Sequence, residues 1–127
     1  MVTGVTWTIA ALAGVYLLSR WLSGGERPKV TRFPAAVVFS HPMLAVSALV
    51  CWAAALITGN RALAWVAFGE LAAAALLGFA MFTRWLGAGR HGRAGAGFPV
   101  LAVTLHGLAG VATFALVFLA ASAARVF

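Results

Sequence analysis

The sequence predicts an all-α protein, a four-helix transmembrane bundle with up-down-up-down topology. Of its 127 residues, 64% are hydrophobic and only 9% are charged, against roughly 25% charged residues in soluble domains. The same composition excludes a disordered chain, which needs low hydrophobicity and high charge. Four apolar runs each reach the ~20 residues that a membrane-spanning helix needs. They are Val2–Leu22, Pro34–Thr58, Ala62–Leu86 and Phe98–Ala124.

The first apolar run is expected to stay in the protein as a helix. A signal peptide carries positive residues ahead of its apolar stretch, whereas the first basic residue here, Arg20, follows the stretch. This charge order is typical of an uncleaved helix whose N-terminus lies outside.

The links between the runs predict the orientation. Seven of the nine basic residues lie in the first and third links, Ser23–Phe33 and Gly87–Gly97, and in the helix ends beside them. Because basic residues concentrate in cytoplasmic loops, both termini should lie outside the plasma membrane. The net charge of +7 then suits anionic lipid headgroups, and no nucleic acid is needed to explain it. The seven are Arg20, Arg27, Lys29, Arg32, Arg84, Arg90 and Arg93; Arg61 and Arg125 are on the other side.

The two halves of this single domain, residues 1–60 and 61–127, repeat each other. Each contains Gly, five residues and Arg-Trp-Leu, and after its basic link Phe-Pro, six residues and His. We predict a duplicated helical hairpin whose copies are parallel repeats about an axis along the membrane normal. Convergence is the alternative, since Arg-Trp suits an interface and Pro a first helical turn. The central equivalences are Gly14 with Gly78, Arg20 with Arg84, and His41 with His106.

The two histidines are candidate cofactor ligands. Each follows its Pro by seven residues, or ~10 Å at 1.5 Å per residue. Their helices are diagonal in such a bundle, with axes ~12–14 Å apart, a gap that suits a flat cofactor with one imidazole on each face. Glycines at the same depth on the flanking helices allow a large ring to approach the backbone, and two Arg near the inner interface suit two propionates. These four residues are Gly14, Gly78, Arg20 and Arg84.

This layout resembles the membrane b-type cytochromes, in which haem lies between His of the second and fourth helices, with Gly on the first and third. The resemblance implies that His41 and His106 are axial ligands of haem iron and that Gly14 and Gly78 make room for the porphyrin. That family has two His on each ligating helix, serving two haems. This chain has one on each, which implies a single haem b. Pro42 directly follows His41 and puts the depth of that ligand in question.

Other interpretations of the histidines stay open. Intramembrane His can hydrogen-bond between helices, for instance to Tyr16, Ser40 or Thr104, and contribute only packing. A bare metal site is less favoured, because two imidazoles supply half the ligands of a closed zinc site. The sequence also resembles small four-helix membrane proteins of actinobacterial type, a resemblance that implies no activity. No catalytic constellation is visible. For a redox protein we expect an electron carrier or the membrane anchor of a redox partner, and the alternative is a cofactor-free subunit of a membrane complex or homo-oligomer.

Glu70 is the one acidic residue in an apolar run, and its equivalent in the first half is Thr6. A charged side chain at mid-helix costs about 2.5–3.5 kcal/mol on insertion scales and usually marks a pathway or a partner. Three hypotheses follow: a neutral, hydrogen-bonded acid in the core, a proton relay, or a binding site for a cationic substrate. As a binder of cationic substrates, the chain resembles small multidrug transporters, which are also four-helix proteins. Their key Glu lies in the first helix, whereas Glu70 lies in the third. Its expected neighbours are Thr8, Cys51 and Thr113.

Overall fold

Four long helices make up the fold of this chain, as seen in a computed structural model. The structure describes residues 1–23, 34–90 and 99–123, with the side chains of 88–90 excepted. Residues 24–33, 91–98 and 124–127 lie outside the described residues. They include the predicted loop cations Arg27, Lys29, Arg32, Arg93 and Arg125. In order, the helices are α1 (Val2–Leu22), α2 (Ala35–Thr58), α3 (Arg61–Arg90) and α4 (Val100–Ser122). The described ranges contain no strand, which confirms the predicted all-α bundle.

The observed helix ends differ from the predicted ones by a few residues. Pro34 and Pro99 precede α2 and α4 as N-cap residues, so these helices begin one and two residues later than the apolar runs. In contrast, α3 continues through Arg90, into the segment that its glycines predicted to be a linker. Adding residues to an existing helix costs far less free energy than starting a new helix. The glycines therefore make this extension less favourable without preventing it.

A tight turn joins α2 to α3. Gly59 ends α2 with φ +67°, a left-handed conformation that glycine adopts without a Cβ clash. Asn60 then caps α3, because its Oδ1 accepts a hydrogen bond from the Ala62 N–H at 2.9 Å. Arg61 donates to the Ala121 and Ser122 carbonyl oxygens, at 3.1 Å each. The turn therefore also fastens the start of α3 to the end of α4.

Pro42 lies inside α2, and the helix passes through it. A proline there removes one backbone hydrogen bond and crowds the carbonyl four residues earlier. Its position in the second turn leaves His41 well within the helix, so Pro42 does not delay the start of the helix past this histidine.

Small residues set the closest helix contacts. The bundle packs most tightly between α2 and α3, between α1 and α4, and then between α3 and α4. Short side chains let helix backbones approach closely, as is usual in membranes. Between α1 and α2, by contrast, aromatic rings hold the helices apart, as in the Trp7–Trp52 and Trp21–Phe39 pairs. The fully buried residues of the interfaces include Ala48, Ala55, Ala64, Ala67, Val117 and Ala121.

Candidate functional site

The outer surface of the helices is apolar. Large side chains such as Leu12, Val46, Leu76 and Leu108 each expose more than half of their area, and all four helices are long and apolar enough to cross a membrane. A surface of this kind needs a covering of lipid, because apolar patches of this extent are rare on soluble monomers. The chain is therefore an integral, multi-pass membrane protein, and any site must be sought among its few polar side chains.

His41 and His106 meet at the centre of the bundle. Their Nε2 atoms are 3.4 Å apart, and the two rings are inclined at 72°. The gap that the sequence predicts between α2 and α4 is thus spanned by the imidazoles themselves, because a long side chain enters it from each helix.

Backbone carbonyls hold the far side of each ring. His41 Nδ1 donates to the Ala74 oxygen of α3 at 2.8 Å, and His106 Nδ1 donates to the Ala10 oxygen of α1 at 2.8 Å. Each histidine therefore links its own helix to the neighbour that it packs against most tightly. The sequence suggested Tyr16, Ser40 or Thr104 as partners, but side-chain hydroxyls are not needed where a helix carbonyl is within reach.

Glycines give the imidazoles access to these carbonyls. A Cβ on Gly14 would stand 3.0 Å from His106 Cε1, and a Cβ on Gly78 would stand 3.1 Å from His41 Cε1. Each glycine follows the hydrogen-bonding alanine by four residues, and the Cβ of a helical residue points toward the N-terminus. A side chain there would cover the carbonyl. The large ring that these glycines admit in this structure is the imidazole.

The backbone contacts also fix the protons of the two rings. A carbonyl oxygen can only accept, so Nδ1 of each histidine carries the hydrogen. In the neutral form, both Nε2 atoms then present lone pairs, and these face each other across 3.4 Å. Two facing lone pairs repel unless a cation lies between them, either a proton or a metal ion. We call His41, His106 and the two carbonyls that hold them the histidine pair site.

Each tightly packed helix pair has a second polar contact, about one to two helical turns from the histidines and toward the end of the bundle at which α1 begins. Between α2 and α3, Ser47 Oγ donates to Glu70 Oε1 at 2.7 Å, and Cys51 interacts with the same carboxyl group. Between α4 and α1, Thr113 Oγ1 donates to Thr6 Oγ1 at 2.9 Å. Glu70 and Thr6 are 64 residues apart, which makes them equivalent positions in the predicted repeat.

The predicted neighbours of Glu70 are partly right. Cys51 interacts with it, but Thr113 contacts Thr6, and the Thr8 hydroxyl donates to the Gly4 carbonyl of its own helix. Sequence reasoning did not find Ser47, nor the Ala10 and Ala74 carbonyls. The alanines had a signal, since they are 64 residues apart and four residues before the equivalent glycines.

The remaining predicted site residues are separate from the histidine pair. Arg20 and Arg84 have exposed side chains near the ends of α1 and α3. Each follows its glycine by six residues, or about 9 Å along the helix. Glu70 precedes Ala74 by four residues on α3, about 6 Å. The structure thus brings together the two His and the two Gly, and it leaves the acid and the basic residues on either side of them.

Comparisons with known proteins give no relative of this chain: no family model, curated protein or solved structure matches it. The class of protein, an integral membrane protein of four helices, therefore rests on the length and the apolar surface of its own helices. Its function has to be argued from the histidine pair and from Glu70.

Proposed function

We propose that the chain is a single-haem membrane cytochrome of the b type, acting in electron transfer alone or as the membrane anchor of a redox partner. The observation that supports this most is the pair of opposed Nε2 lone pairs in the bundle centre, each on a ring held by a backbone carbonyl. Metal-bound His usually donates its other N–H to such a carbonyl or a carboxylate, which orients the ring.

The donor set fits haem iron. His nitrogens hold the iron of b-type haem, and His41 and His106 direct two Nε2 atoms toward each other at 3.4 Å. The porphyrin itself needs more space, because α1 and α3 now pack against the imidazoles at Gly14 and Gly78. Those helices would have to move outward to admit it.

His41 and His106 would hold the iron, and the bound haem would supply a centre that accepts and releases one electron. The role of the chain is then to orient the two ligands and exclude water. Ala10 and Ala74 keep the Nε2 lone pairs directed inward, and the lipid-facing helices surround them. Arg20 and Arg84, each six residues beyond its glycine, would pair with two propionates, which Arg binds well through its forked donor geometry.

An absorption spectrum of the purified protein tests this proposal. The chain is expressed in haem-replete cells that load a known b-type cytochrome in parallel, and is purified in detergent. We expect a Soret band that shifts on dithionite reduction and is lost in His41→Ala and His106→Ala. Gly69→Ala is the matched control, because no heavy atom lies within 4 Å of the Cβ it would add. Circular dichroism establishes that each variant is folded.

A colourless wild-type protein, beside a coloured reference cytochrome, contradicts the haem proposal. The histidine pair would then be a cofactor-free contact between diagonal helices, and the chain a structural subunit of a membrane complex.

A small proton-coupled transporter is a second candidate, favoured by the placement of Glu70. Its carboxyl lies in a membrane-spanning segment, and Oε2 is buried without a hydrogen-bond partner in the described part of the chain. Uptake of a lipophilic cationic dye into vesicles under a pH gradient is the test. Uptake that Glu70→Gln abolishes supports transport, and uptake that survives this substitution contradicts it.

A further inference from the structure

The carboxyl group of Glu70 is incompletely paired. Its Oε1 accepts from Ser47 at 2.7 Å, whereas Oε2 is fully buried and has no hydrogen-bond partner among the described residues. Carboxylate oxygens removed from water are costly to leave unpaired, and far more so when charged. The environment therefore favours a carboxyl whose charge is neutralised by a bound cation.

Packing alone does not require an acid at this position. The equivalent contact of α4 with α1 uses two hydroxyls, and Thr6 completes it by donating to the Thr3 carbonyl at 3.0 Å. Both partners of that contact have hydrogen bonds. The Ser47–Glu70 contact joins its helices in the same way, but Glu70 Oε2 has no hydrogen-bond partner among the described residues. Helix packing therefore does not account for this second carboxyl oxygen.

The surroundings of Glu70 restrict the cation that can neutralise it. Ser47 and Cys51 of α2 are the polar groups beside the carboxyl, and α1 and α4 present Thr6 and Thr113 near this level. Of these groups, only Cys51 titrates. On α3 itself, Arg61 is nine residues away, about 13 Å along the helix, and its guanidinium binds the α4 carbonyls. A metal ion would want several oxygen ligands, more than Ser47 and one carboxyl provide.

We propose that Glu70 is a proton-binding site within the membrane-spanning part of the bundle, which holds a proton on its carboxyl and exchanges it with water. Ser47 is a positioning residue that orients the carboxyl through Oε1. The site stands independently of haem, because none of its contacts involves the histidine pair.

Carbodiimide labelling of the full-length protein in detergent tests the proposal. Dicyclohexylcarbodiimide reacts with the protonated form of a membrane-embedded carboxyl to give a stable N-acylurea, located by peptide mass spectrometry. We expect Glu70 to be labelled at neutral pH, and the labelling to fall as the pH rises. Glu70→Gln should reduce it to background. Glu26→Gln is the matched control, since it removes the other acidic side chain of the sequence and should leave the labelling of Glu70 unchanged.

Ser47→Ala should change the pH dependence of Glu70 labelling, which a purely structural role of Ser47 would leave unchanged. A hydrogen bond to the charged form of an acid favours that form, so its removal should extend the labelling to higher pH. In the infrared spectrum, the carbonyl stretch of a protonated acid should be present in wild type and lost in Glu70→Gln.

Three results would overturn the proposal. One is a Glu70 that stays unlabelled in the native protein at neutral pH but is labelled after denaturation in acid. Another is labelling that does not change with pH. The third is protection from labelling by sodium chloride, relative to choline chloride at the same pH, which would make sodium the bound cation.

Discussion

The two tightly packed helix pairs, α2–α3 and α4–α1, are alike around the histidines and different toward the end of the bundle at which α1 begins. Around the histidines, each pair has an imidazole, an alanine carbonyl at 2.8 Å and a glycine beside the ring. Toward that end, the first pair has Ser47 with Glu70 and the second has Thr113 with Thr6. Both helix pairs use the same contacts around the histidines. In the second contact, α2–α3 has an acidic side chain where α4–α1 has only hydroxyls.

The difference teaches how a polar group in a membrane protein is to be interpreted. A hydrogen bond between helices is explained by packing when no buried polar atom in it lacks a partner. The two hydroxyls of α1 and α4 meet that condition. In the Glu70 carboxyl, Oε2 has no partner among the described residues, and the two histidine Nε2 atoms face each other without a donor, so a proton or a metal ion would complete either group. Trp52 and Trp85 also bury an indole N–H without a partner there, but these groups are donors and bind no cation.

The largest effect is expected from truncating either histidine. Because each imidazole is packed in the bundle and donates to a helix carbonyl, His41→Ala and His106→Ala should each lower the free energy of unfolding by about 2–4 kcal/mol. When a proton or a metal ion joins the two Nε2 atoms, the double variant should lose clearly less than the sum of the single losses, since both single variants remove the same contact. Reversible unfolding in mixed detergent micelles measures all three. Unequal single effects would contradict the equivalence of the two helix pairs, and strict additivity would contradict a cation shared by the two rings.

The next largest loss of stability is expected from substituting the glycines that contact the imidazole rings. An added Cβ meets His41 or His106 at about 3 Å, so Gly78→Ala and Gly14→Ala should each cost about 1–3 kcal/mol by overpacking. Gly69→Ala and Gly4→Ala are controls on the same helices, with nothing within 4 Å of the new Cβ. These should be neutral or stabilising by up to about 1 kcal/mol, as measured in the same unfolding titration.

Smaller losses are expected in the layer where the halves differ. Thr113→Val and Ser47→Ala each remove one hydrogen bond between helices, worth about 0.6 kcal/mol on average in membrane proteins. Their effects on stability should be similar. They should differ in pH dependence, because only Ser47→Ala acts on a titratable group. Thermal unfolding at two pH values distinguishes them, and equal pH profiles would contradict a special role for Glu70.

An effect of similar, small size is expected for Arg61. It binds the last carbonyls of α4, and a cation at a helix C-terminus contributes about 0.3–1 kcal/mol. Arg61→Ala should therefore lower stability by about this amount. Arg84→Ala, at an exposed position of the same helix, should leave stability unchanged in the same assay.

Much of the candidate site follows from spacing alone. His41 and His106 were predicted at equal depth on facing helices, and Gly14 and Gly78 at that depth on the flanking ones, because rise per residue converts sequence distance into depth. Ser47 was not predicted. Whether a hydroxyl on α2 faces an acid on α3 depends on the rotation of both helices about their axes, which apolar helices facing lipid on most sides do not reveal in their sequence.

The sequence by itself determined that this protein has four membrane-spanning helices, and it placed its few polar residues in layers, because apolar length and residue spacing are local properties. The orientation of the termini and the duplication of the hairpin are predictions from the sequence alone. Only the tertiary structure decided that the two imidazoles touch, that the Ala10 and Ala74 carbonyls hold them, and that Glu70 retains an unpaired oxygen. These depend on how closely helices approach and which faces they turn inward, which only the packing of all four helices determines.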